Sequence, residues 1–208
     1  MTPFKHCIIL FSLVFLCVAC EEHDPIIDNR MRVGAVLLEN NTLVMPENIP
    51  EGINPAGVVC YIHGDTAVAV GLHELGTYPF SVDLSTINGT DNDINSLAGV
   101  ENTAALFLDG GCQAAEVAVQ NGTNLTGWYL PAAGELRLLA ANKIAVENTL
   151  RQLGADLLSD EQYVSSTQDG TNSNNTLLYY YAVSMKTGYA TSTIKSEPHR
   201  VRAMIRIH

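Results

Sequence analysis

Runs of apolar residues predict β-strands at both ends of the chain and helices between them. Near the start, residues 33–38 (VGAVLL) predict a strand, and TLVM predicts the strand that returns after a turn at Asn40. The runs AGVVCYIHG and TAVAVGLHEL predict a pair of buried strands joined at Gly64 and Asp65. Residues 76–100 then become polar and glycine-rich, which is typical of a long surface loop.

Two segments in the middle of the chain have the composition of helices. ENTAALFLDGGCQAAEVAVQNG predicts two short helices divided by the pair Gly110 and Gly111. PAAGELRLLAANKIAVENTLRQLG predicts a helix that begins near Pro131, ends at Gly154 and breaks near Asn142. The apolar face predicted for this segment consists of Leu136, Leu139, Ile144 and Val146.

The remaining segments, QYVSST, TLLYYYAVSM and YATSTI, predict a second group of strands, with a polar loop (QDGTNSNN) after the first of them. In the terminal HRVRAMIRI, apolar and basic residues alternate between the two sides of a strand. The apolar side carries Val201, Ala203, Ile205 and Ile207, and the basic side carries Arg200, Arg202 and Arg206. We expect these arginines to pair with neighbouring carboxylates, with attraction of sulfated or carboxylated glycans as the alternative. The order of strands, helices and strands predicts the α+β class, with short helices flanking an antiparallel sheet, over a domain of residues 33–208.

The first residues have the pattern of a bacterial lipoprotein leader. Lys5 and His6 precede an apolar run that ends at Cys20, so residues 1–19 are expected to be a signal peptide. Ala19-Cys20 resembles a lipoprotein cleavage site, which would leave a lipid-anchored Cys20 and a tether of residues 20–32. An ordinary signal peptide is the alternative. The acidic residues that follow Cys20 resemble the surface-export signal of Bacteroidetes lipoproteins, and we expect an outer-membrane, cell-surface location.

Composition and charge narrow the possible partners. Hydrophobic residues make up 47% of the 208-residue chain and charged residues 16%, so one domain with a sizeable core is expected. The formal net charge of −11 argues against a nucleic-acid partner. Cys60 and Cys112 remain as thiols after processing, and they either form a disulfide or lie buried and free.

Three motifs together resemble a known group of proteins. GWYLPAAGELRLL, YVSST and KSEPHRVRAMIRI occur in the order and spacing of a domain found in Bacteroidetes surface lipoproteins. That domain is related to the C-terminal domain of a collagen-like adhesin of Legionella and, distantly, to formylglycine-generating enzymes. The resemblance implies a C-type-lectin-like fold. Val164 stands where the group has tryptophan, and YYY at 179–181 replaces a usual Ala-Trp-Tyr.

The chain lacks the motifs on which catalysis or metal binding would depend. The cysteine pair of the formylglycine enzymes and the calcium motifs of true C-type lectins have no counterpart, so we expect no enzymatic activity, no cofactor and no metal. Glu135 is interpreted as a helix-start residue and Trp128 as an apolar plug. A zinc site at Cys60, His63 and His73 is disfavoured because Cys60 and His63 point to opposite faces of a strand. The acidic loop around Asp91, Asp93 and Asn95 is interpreted as a solvated turn rather than a calcium site.

The loop from Ser165 to Thr176 and the tyrosines after it are the candidate ligand surface. Amide side chains bind hydroxyl groups and aromatic rings stack on sugars. The candidate residues are Gln168, Asp169, Asn172, Asn174, Asn175, Tyr179 and Tyr181. A solvated loop without a ligand is the alternative. Asp65-Thr66-Ala67 resembles the O-glycosylation signal of exported Bacteroidetes proteins, which would place a glycan on Thr66.

These features favour a non-catalytic cell-surface lipoprotein that binds a glycan or a host matrix protein, as an adhesion module would. A structural or accessory subunit of a pilus or other surface assembly is the first alternative. The second is an enzyme on the same fold that uses Glu135 or the acids of residues 83–101.

Overall fold

The computed structural model describes residues 31–121, 123–171 and 173–208. The predicted signal peptide (1–19), the lipidation site Cys20, most of the tether and the candidate ligand residue Asn172 lie outside the described residues. The structure therefore bears on the predicted domain of residues 33–208.

The described chain begins and ends with strands and has most of its helices between them, as the apolar runs predict. A strand at Thr77–Pro79 lies within the segment predicted as a long surface loop, and a strand at Trp128–Tyr129 was not predicted. The strands are β1 (Val36–Leu38), β2 (Leu43–Val44), β3 (Pro55–His63), β4 (Thr66–Gly71), β5 (Thr77–Pro79), β6 (Trp128–Tyr129), β7 (Gln162–Gln168), β8 (Tyr179–Ser184), β9 (Ala190–Ile194), β10 (Pro198–Arg200) and β11 (Met204–Ile207). The helices are α1 (Gly99–Asp109), α2 (Gln113–Val119), α3 (Ala133–Ala141), α4 (Lys143–Gln152) and α5 (Ser173–Leu178), with a short 3-10 helix at Pro46–Asn48. The fold is α+β.

The strands form two sheets. The first has the order β2-β1-β3-β4-β11-β6 and is antiparallel throughout. The second has the order β5-β10-β7-β8-β9 and is antiparallel except for β10 and β7, which run parallel where Arg200 pairs with Tyr163. The last strand, β11, lies beside β4, so the end of the described chain closes against the β3–β4 hairpin.

Both faces of the first sheet are buried, because side chains alternate along each strand and apolar layers cover both sides. In one core cluster, Val59, Ala69 and Ile205 pack against α1 and α2. In the other core cluster, Val58, Val70 and Met204 pack against α3 and α4. Burial on both faces explains why β3 and β4 are continuous apolar runs rather than alternating ones.

Most predicted boundaries are confirmed. The turn of the β3–β4 hairpin is at Gly64 and Asp65, as predicted. Gly110 and Gly111, with φ of 78° and 82°, separate α1 from α2, and the break between α3 and α4 is at Asn142. Positive φ at both glycines allows the chain to reverse there without a Cβ clash.

Three predictions are wrong. Ile144 is 79% exposed, because the break at Asn142 changes the phase of the helix and turns this side chain outward. The segment predicted as one strand over TLLYYYAVSM begins as α5 and becomes a strand only at Tyr179. The terminal strand is interrupted at residues 201–203, between β10 and β11. The apolar side of that segment is nevertheless buried as predicted.

Candidate functional site

Glu135, the carboxylate of the GWYLPAAGELRLL segment, is a buried structural centre. Its Oε2 accepts a hydrogen bond from the backbone N–H of Ala132 at 2.8 Å, which caps the start of α3. Its Oε1 accepts hydrogen bonds from the hydroxyls of Tyr61 (2.7 Å) and Tyr129 (2.9 Å). Burial raises the pKa of Glu135 above its ordinary value, and these hydrogen bonds oppose the rise. Arg206 lies nearby, with Nη2 3.9 Å from Oε1.

The close approach of α1 to this centre depends on a glycine. A Cβ atom at Gly99 would lie 2.0 Å from Glu135 Oε2 and 2.6 Å from the ring of Tyr129. Trp128 is buried in the core cluster on the α1 and α2 side of the first sheet, and its indole N–H donates to Thr123 Oγ1 at 2.6 Å. The geometry agrees with Glu135 as a helix-start residue, whereas Trp128 packs on the opposite face of the sheet from α3 and does not plug the base of that helix.

The predicted ligand loop places Gln168 and Asp169 inside the protein. Gln168 Nε2 donates to the carbonyl of Ile87 and to Thr90 Oγ1, both at 2.7 Å, and its Oε1 accepts from Ile87 N–H at 3.1 Å. These bonds tie the end of β7 to the long loop that precedes α1. The side chain of Gln168 therefore has no free amide group to offer a ligand.

Asp169 is the centre of a second internal network. It accepts hydrogen bonds from the hydroxyls of Tyr181 (3.0 Å) and Ser192 (2.6 Å), from Asn175 Nδ2 (2.9 Å), and from the backbone and side chain of Thr171. Burial raises the pKa of Asp169, but the hydrogen bonds outweigh it and lower the pKa to about 2. The structure thus brings Asp169, Asn175 and Tyr181 together as a loop-closing network. Asn174 is exposed and Tyr179 is half-buried, and ligand binding at this face stays a prediction.

Lys195 is a buried cation that sequence reasoning missed. Its Nζ donates to the carbonyl oxygens of Ser85 (2.6 Å) and Thr176 (2.7 Å) and to Gln168 Oε1 (2.6 Å), and it lies 5.3 Å from the ring centre of Phe80. Burial lowers its pKa to about 8. No local feature of the sequence marks this lysine as buried, because its oxygen partners come from other segments of the chain.

The arginines near the end of the chain pair with carboxylates, as the sequence predicts. Arg202 is fully buried, contacts Glu74 at 3.0 Å and donates to the backbone carbonyls of Gly71, Leu72 and Asp156. Arg200 pairs with Glu161, and Arg206 lies 3.4 Å from Glu101. These side chains serve the fold, because their charge is already matched.

The structure does not assemble the metal sites that were disfavoured from sequence. Cys60 is buried and contacts the carbonyl of Val68, whereas His73 is exposed beside Asp156 at 3.3 Å. Asp91 and Asp93 accept backbone N–H bonds from residues two positions further on, which is a turn arrangement. In the part of the chain that the structure describes, no three histidine, cysteine or carboxylate groups lie close enough to hold one ion.

Cys60 and Cys112 are buried free thiols, which decides between the two alternatives that the sequence left open. They belong to different core clusters on opposite faces of the first sheet, so the sheet separates their sulfur atoms. Burial raises the pKa of Cys60 above its ordinary range and that of Cys112 to about 12. The candidate glycosylation residue Thr66 begins β4 and is half-buried, with Oγ1 3.2 Å from His208 Nδ1.

A cleft lies at the end of the first sheet where β3 passes to β4. It has a volume of about 660 Å³ and adjoins a second cleft of about 360 Å³, and both are lined by His63 and Leu97. We call the two together the cationic cleft. The larger part is also lined by Arg137 and Lys186, and the smaller part by the paired residues Arg206 and Glu101. Neutral residues and histidines complete the lining: Asn95, Leu138, Ala140, Ala141 and Thr187 in the larger part, and Tyr61, Thr66 and His208 in the smaller part.

Two cations of this cleft form no ion pair in the described chain, although Asp160, which pairs with Lys143, lies near enough to Lys186 for electrostatic attraction. Arg137 is exposed and donates to the amide oxygen of Asn95 at 2.5 Å, a neutral partner. Within the described ranges, no carboxylate lies within ion-pair distance of Arg137 or Lys186, and none lines the larger part of the cleft. In a chain with twice as many acidic as basic residues (22 against 11), unpaired cations that face one cleft favour an anionic ligand.

Comparison with protein-family models finds no matching family, and comparison with curated proteins finds no relative. None of the helices in residues 31–121, 123–171 and 173–208 combines the length and the apolar character needed to span a bilayer.

Proposed function

We propose that this protein is a non-catalytic, lipid-anchored surface protein whose α+β domain, of C-type-lectin-like type, binds an anionic ligand in the cationic cleft. The ligand class is a glycan or matrix protein that carries carboxylate or sulfate groups. The fold class, the lipoprotein leader and the three motifs of the resemblance support the surface-module part of the proposal. The sequence suggested the arginines of the terminal strands as the alternative site for an anionic glycan. Because those arginines are paired, we assign the anion-binding site to Arg137 and Lys186 instead.

The observation that carries the proposal is that two cations, Arg137 and Lys186, line one cleft without forming an ion pair among the described residues. Several other basic residues pair with carboxylates: Lys143 with Asp160, Arg200 with Glu161, and Arg202 with Glu74. An exposed cation on an acidic surface is expected to find such a partner. Arg137 and Lys186 are left for an external anion, and guanidinium groups bind carboxylates and sulfates in a bidentate manner.

The state of the carboxylates supports a non-catalytic role. A catalytic acid needs access to substrate and a second group that shares the chemistry. Glu135 is enclosed with both oxygens occupied, and none of the five main clefts in the described chain is lined by two carboxylates. The acids of the long loop are engaged in turns.

Binding is tested by screening the purified protein on a glycan array and a panel of matrix proteins. The double variant Arg137→Ala/Lys186→Ala is compared with Arg151→Ala/Arg200→Ala, which removes the same charge outside the cleft. We expect binding to be lost only in the first variant. A third variant, Asn174→Ala/Tyr179→Ala, tests the face that the sequence predicts. Loss in that variant alone would move the site to the α5–β8 face and overturn the cleft assignment.

The anchor is tested separately from the binding. Cys20→Ser removes the proposed lipid attachment, and we expect it to move the protein from the membrane fraction to the soluble fraction. Protease added to intact cells should degrade the wild-type protein if it faces outward. Membrane association that persists in Cys20→Ser would contradict the lipid anchor.

An apolar groove favours the assembly subunit as a second candidate. Phe107, Leu108 and Val119 are exposed, Leu108 to 88%, and they line a cleft of about 400 Å³ beside Trp128. Clustered exposed apolar side chains of this kind mark protein contacts. Co-migration with a surface-assembly protein that is lost in Leu108→Ser would favour this candidate, and unchanged migration of that variant would count against it.

A further inference from the structure

A second, smaller cavity lies at the opposite end of the first sheet from the cationic cleft. It has a volume of about 280 Å³ and is lined by Glu39, Pro55, Leu72, His73, Asn121 and Thr123. Because β1, β3 and β4 are antiparallel, the end of β1, the start of β3 and the end of β4 meet at this edge. We call this cavity the amide pocket.

Asn121 lines the amide pocket and carries an unused hydrogen-bond donor. Its Nδ2 is buried and has no hydrogen-bond partner among the described residues. It lies against the backbone of Gly71, where an added Cβ would be 3.2 Å away. A buried amide without a partner costs about 1–3 kcal/mol, so such groups in folded proteins call for a ligand or an ordered water.

Thr123 supplies a second donor. Its Oγ1 already accepts hydrogen bonds from the indole N–H of Trp128 (2.6 Å) and from the backbone N–H of Leu125 (3.3 Å). A hydroxyl has two acceptor positions and one proton. With both acceptor positions in use, the remaining function of this hydroxyl is to donate, and Thr123 lines the pocket.

Glu39 and His73 supply the acceptors. Glu39 Oε2 is held by Asn54 Nδ2 (3.3 Å) and Asn124 Nδ2 (3.0 Å), so the carboxylate is oriented before any ligand arrives. His73 Nδ1 lies 3.3 Å from Asp156 Oδ2. When Nδ1 carries the proton of this contact, neutral His73 has an acceptor at Nε2.

We infer that the amide pocket binds a neutral sugar unit through adjacent hydroxyl groups. The negative charge of Glu39 disfavours an anion there, and the donors of Asn121 and Thr123 disfavour a cation. A sugar hydroxyl both donates and accepts, which matches a ring of two donors and two acceptors. Pro55 and Leu72 offer apolar surface to the C–H side of a ring, and the volume suits one small ligand. This inference stands apart from the proposed function, because the two sites lie at opposite ends of the sheet.

The test uses saturation-transfer NMR and calorimetry of the purified protein with methyl glycosides of glucose, galactose, mannose and N-acetylglucosamine. We expect at least one glycoside to bind, with an affinity that falls roughly tenfold or more in Asn121→Leu. The matched control Asn148→Leu changes a surface asparagine of α4 and should bind as the wild type does. Arg137→Ala/Lys186→Ala should also retain glycoside binding, which separates this site from the cationic cleft.

The stability of Asn121→Leu distinguishes a ligand-binding residue from a structural one. Because Nδ2 has no partner in the free protein, we expect this variant to unfold at the same denaturant concentration as the wild type or at a higher one. The inference is overturned if none of the four glycosides binds at millimolar concentration, which would leave an ordered water as the occupant. It is also overturned if a glycoside binds equally well to Asn121→Leu.

Discussion

The Nζ atom of Lys195 lies 2.6 Å from the amide oxygen of Gln168, and both side chains are buried. The same ammonium group reaches the carbonyls of Ser85 and Thr176, so one positive charge joins the long loop before α1, the end of β7 and the end of α5. Three oxygen acceptors match the three N–H donors of a lysine. Polar loop segments of this domain are therefore held together by an internal cation.

Replacing Lys195 with methionine should destabilise the protein strongly. The variant keeps the shape of the side chain but removes the hydrogen bonds to three oxygens, two of them backbone carbonyls, and we expect the free energy of unfolding to fall by on the order of 3 kcal/mol. Urea denaturation followed by circular dichroism measures the change. Lys186→Met removes an exposed lysine and should change stability by less than about 0.5 kcal/mol. Equal effects of the two substitutions would show that the buried ammonium has no special role.

Asp169 should make the protein sensitive to acid. Its folded-state pKa of about 2 lies below the ordinary value of 3.8, so its contribution to stability is present above pH 3.8 and is lost as the pH falls toward 2. The shift corresponds to about 2 kcal/mol. In Asp169→Asn the free energy of unfolding should be lower at pH 5 but should decline less between pH 4 and pH 2.5. Parallel acid profiles for the variant and the wild type would contradict this assignment.

The ion pair between Arg202 and Glu74 should contribute far more to stability than the exposed pair between Arg200 and Glu161. Arg202→Met leaves the buried Glu74 carboxylate without its cation, and we expect a loss of about 3–5 kcal/mol. Arg200→Met breaks the contact with the exposed Glu161 and should cost at most about 1 kcal/mol. The urea unfolding midpoints of Arg202→Met and Arg200→Met measure the two losses of stability. Similar losses in the two variants would contradict the prediction.

Glu135 should matter for folding and not for binding. Glu135→Ala removes the acceptor for Tyr61, Tyr129 and the N–H of Ala132, and should reduce the free energy of unfolding by on the order of 3 kcal/mol. Glu135→Gln keeps one acceptor oxygen, so its free energy of unfolding should fall by less than that of Glu135→Ala. Ligand affinity per folded molecule should be unchanged in Glu135→Gln. A large loss of binding without loss of stability would instead assign Glu135 to a functional site.

The sequence predicts the fold well where burial of apolar residues decides the structure. β3 and β4 are apolar throughout because both of their faces are covered, and the breaks at Gly110 and Asn142 follow from local backbone preferences. The formation of α5 could not be predicted, because SNNTLL has low helix propensity. That helix is held by tertiary contacts such as the bond from Asn175 to Asp169.

The candidate sites are harder to predict, because their residues come from separate segments. Arg137 lies on α3, Lys186 in the turn after β8 and His63 at the end of β3, and no local motif links them. Lys195 and Arg202 are charged residues that sequence reasoning places on the surface, since lone buried charges are rare. Only the partners that the fold supplies make their burial favourable. The polar composition of the 168–175 segment predicted a ligand surface, whereas its side chains at 168 and 169 face inward.

The cationic cleft is tested most directly by the salt dependence of binding. The affinity for the strongest ligand of the array screen is measured at low and high ionic strength for the wild type and for Arg137→Glu/Lys186→Glu. An anionic ligand held by these two cations should bind more weakly at high salt, and the charge reversal should abolish binding while leaving the urea midpoint nearly unchanged. Binding that is insensitive to salt and persists in the charge-reversal variant would contradict the account.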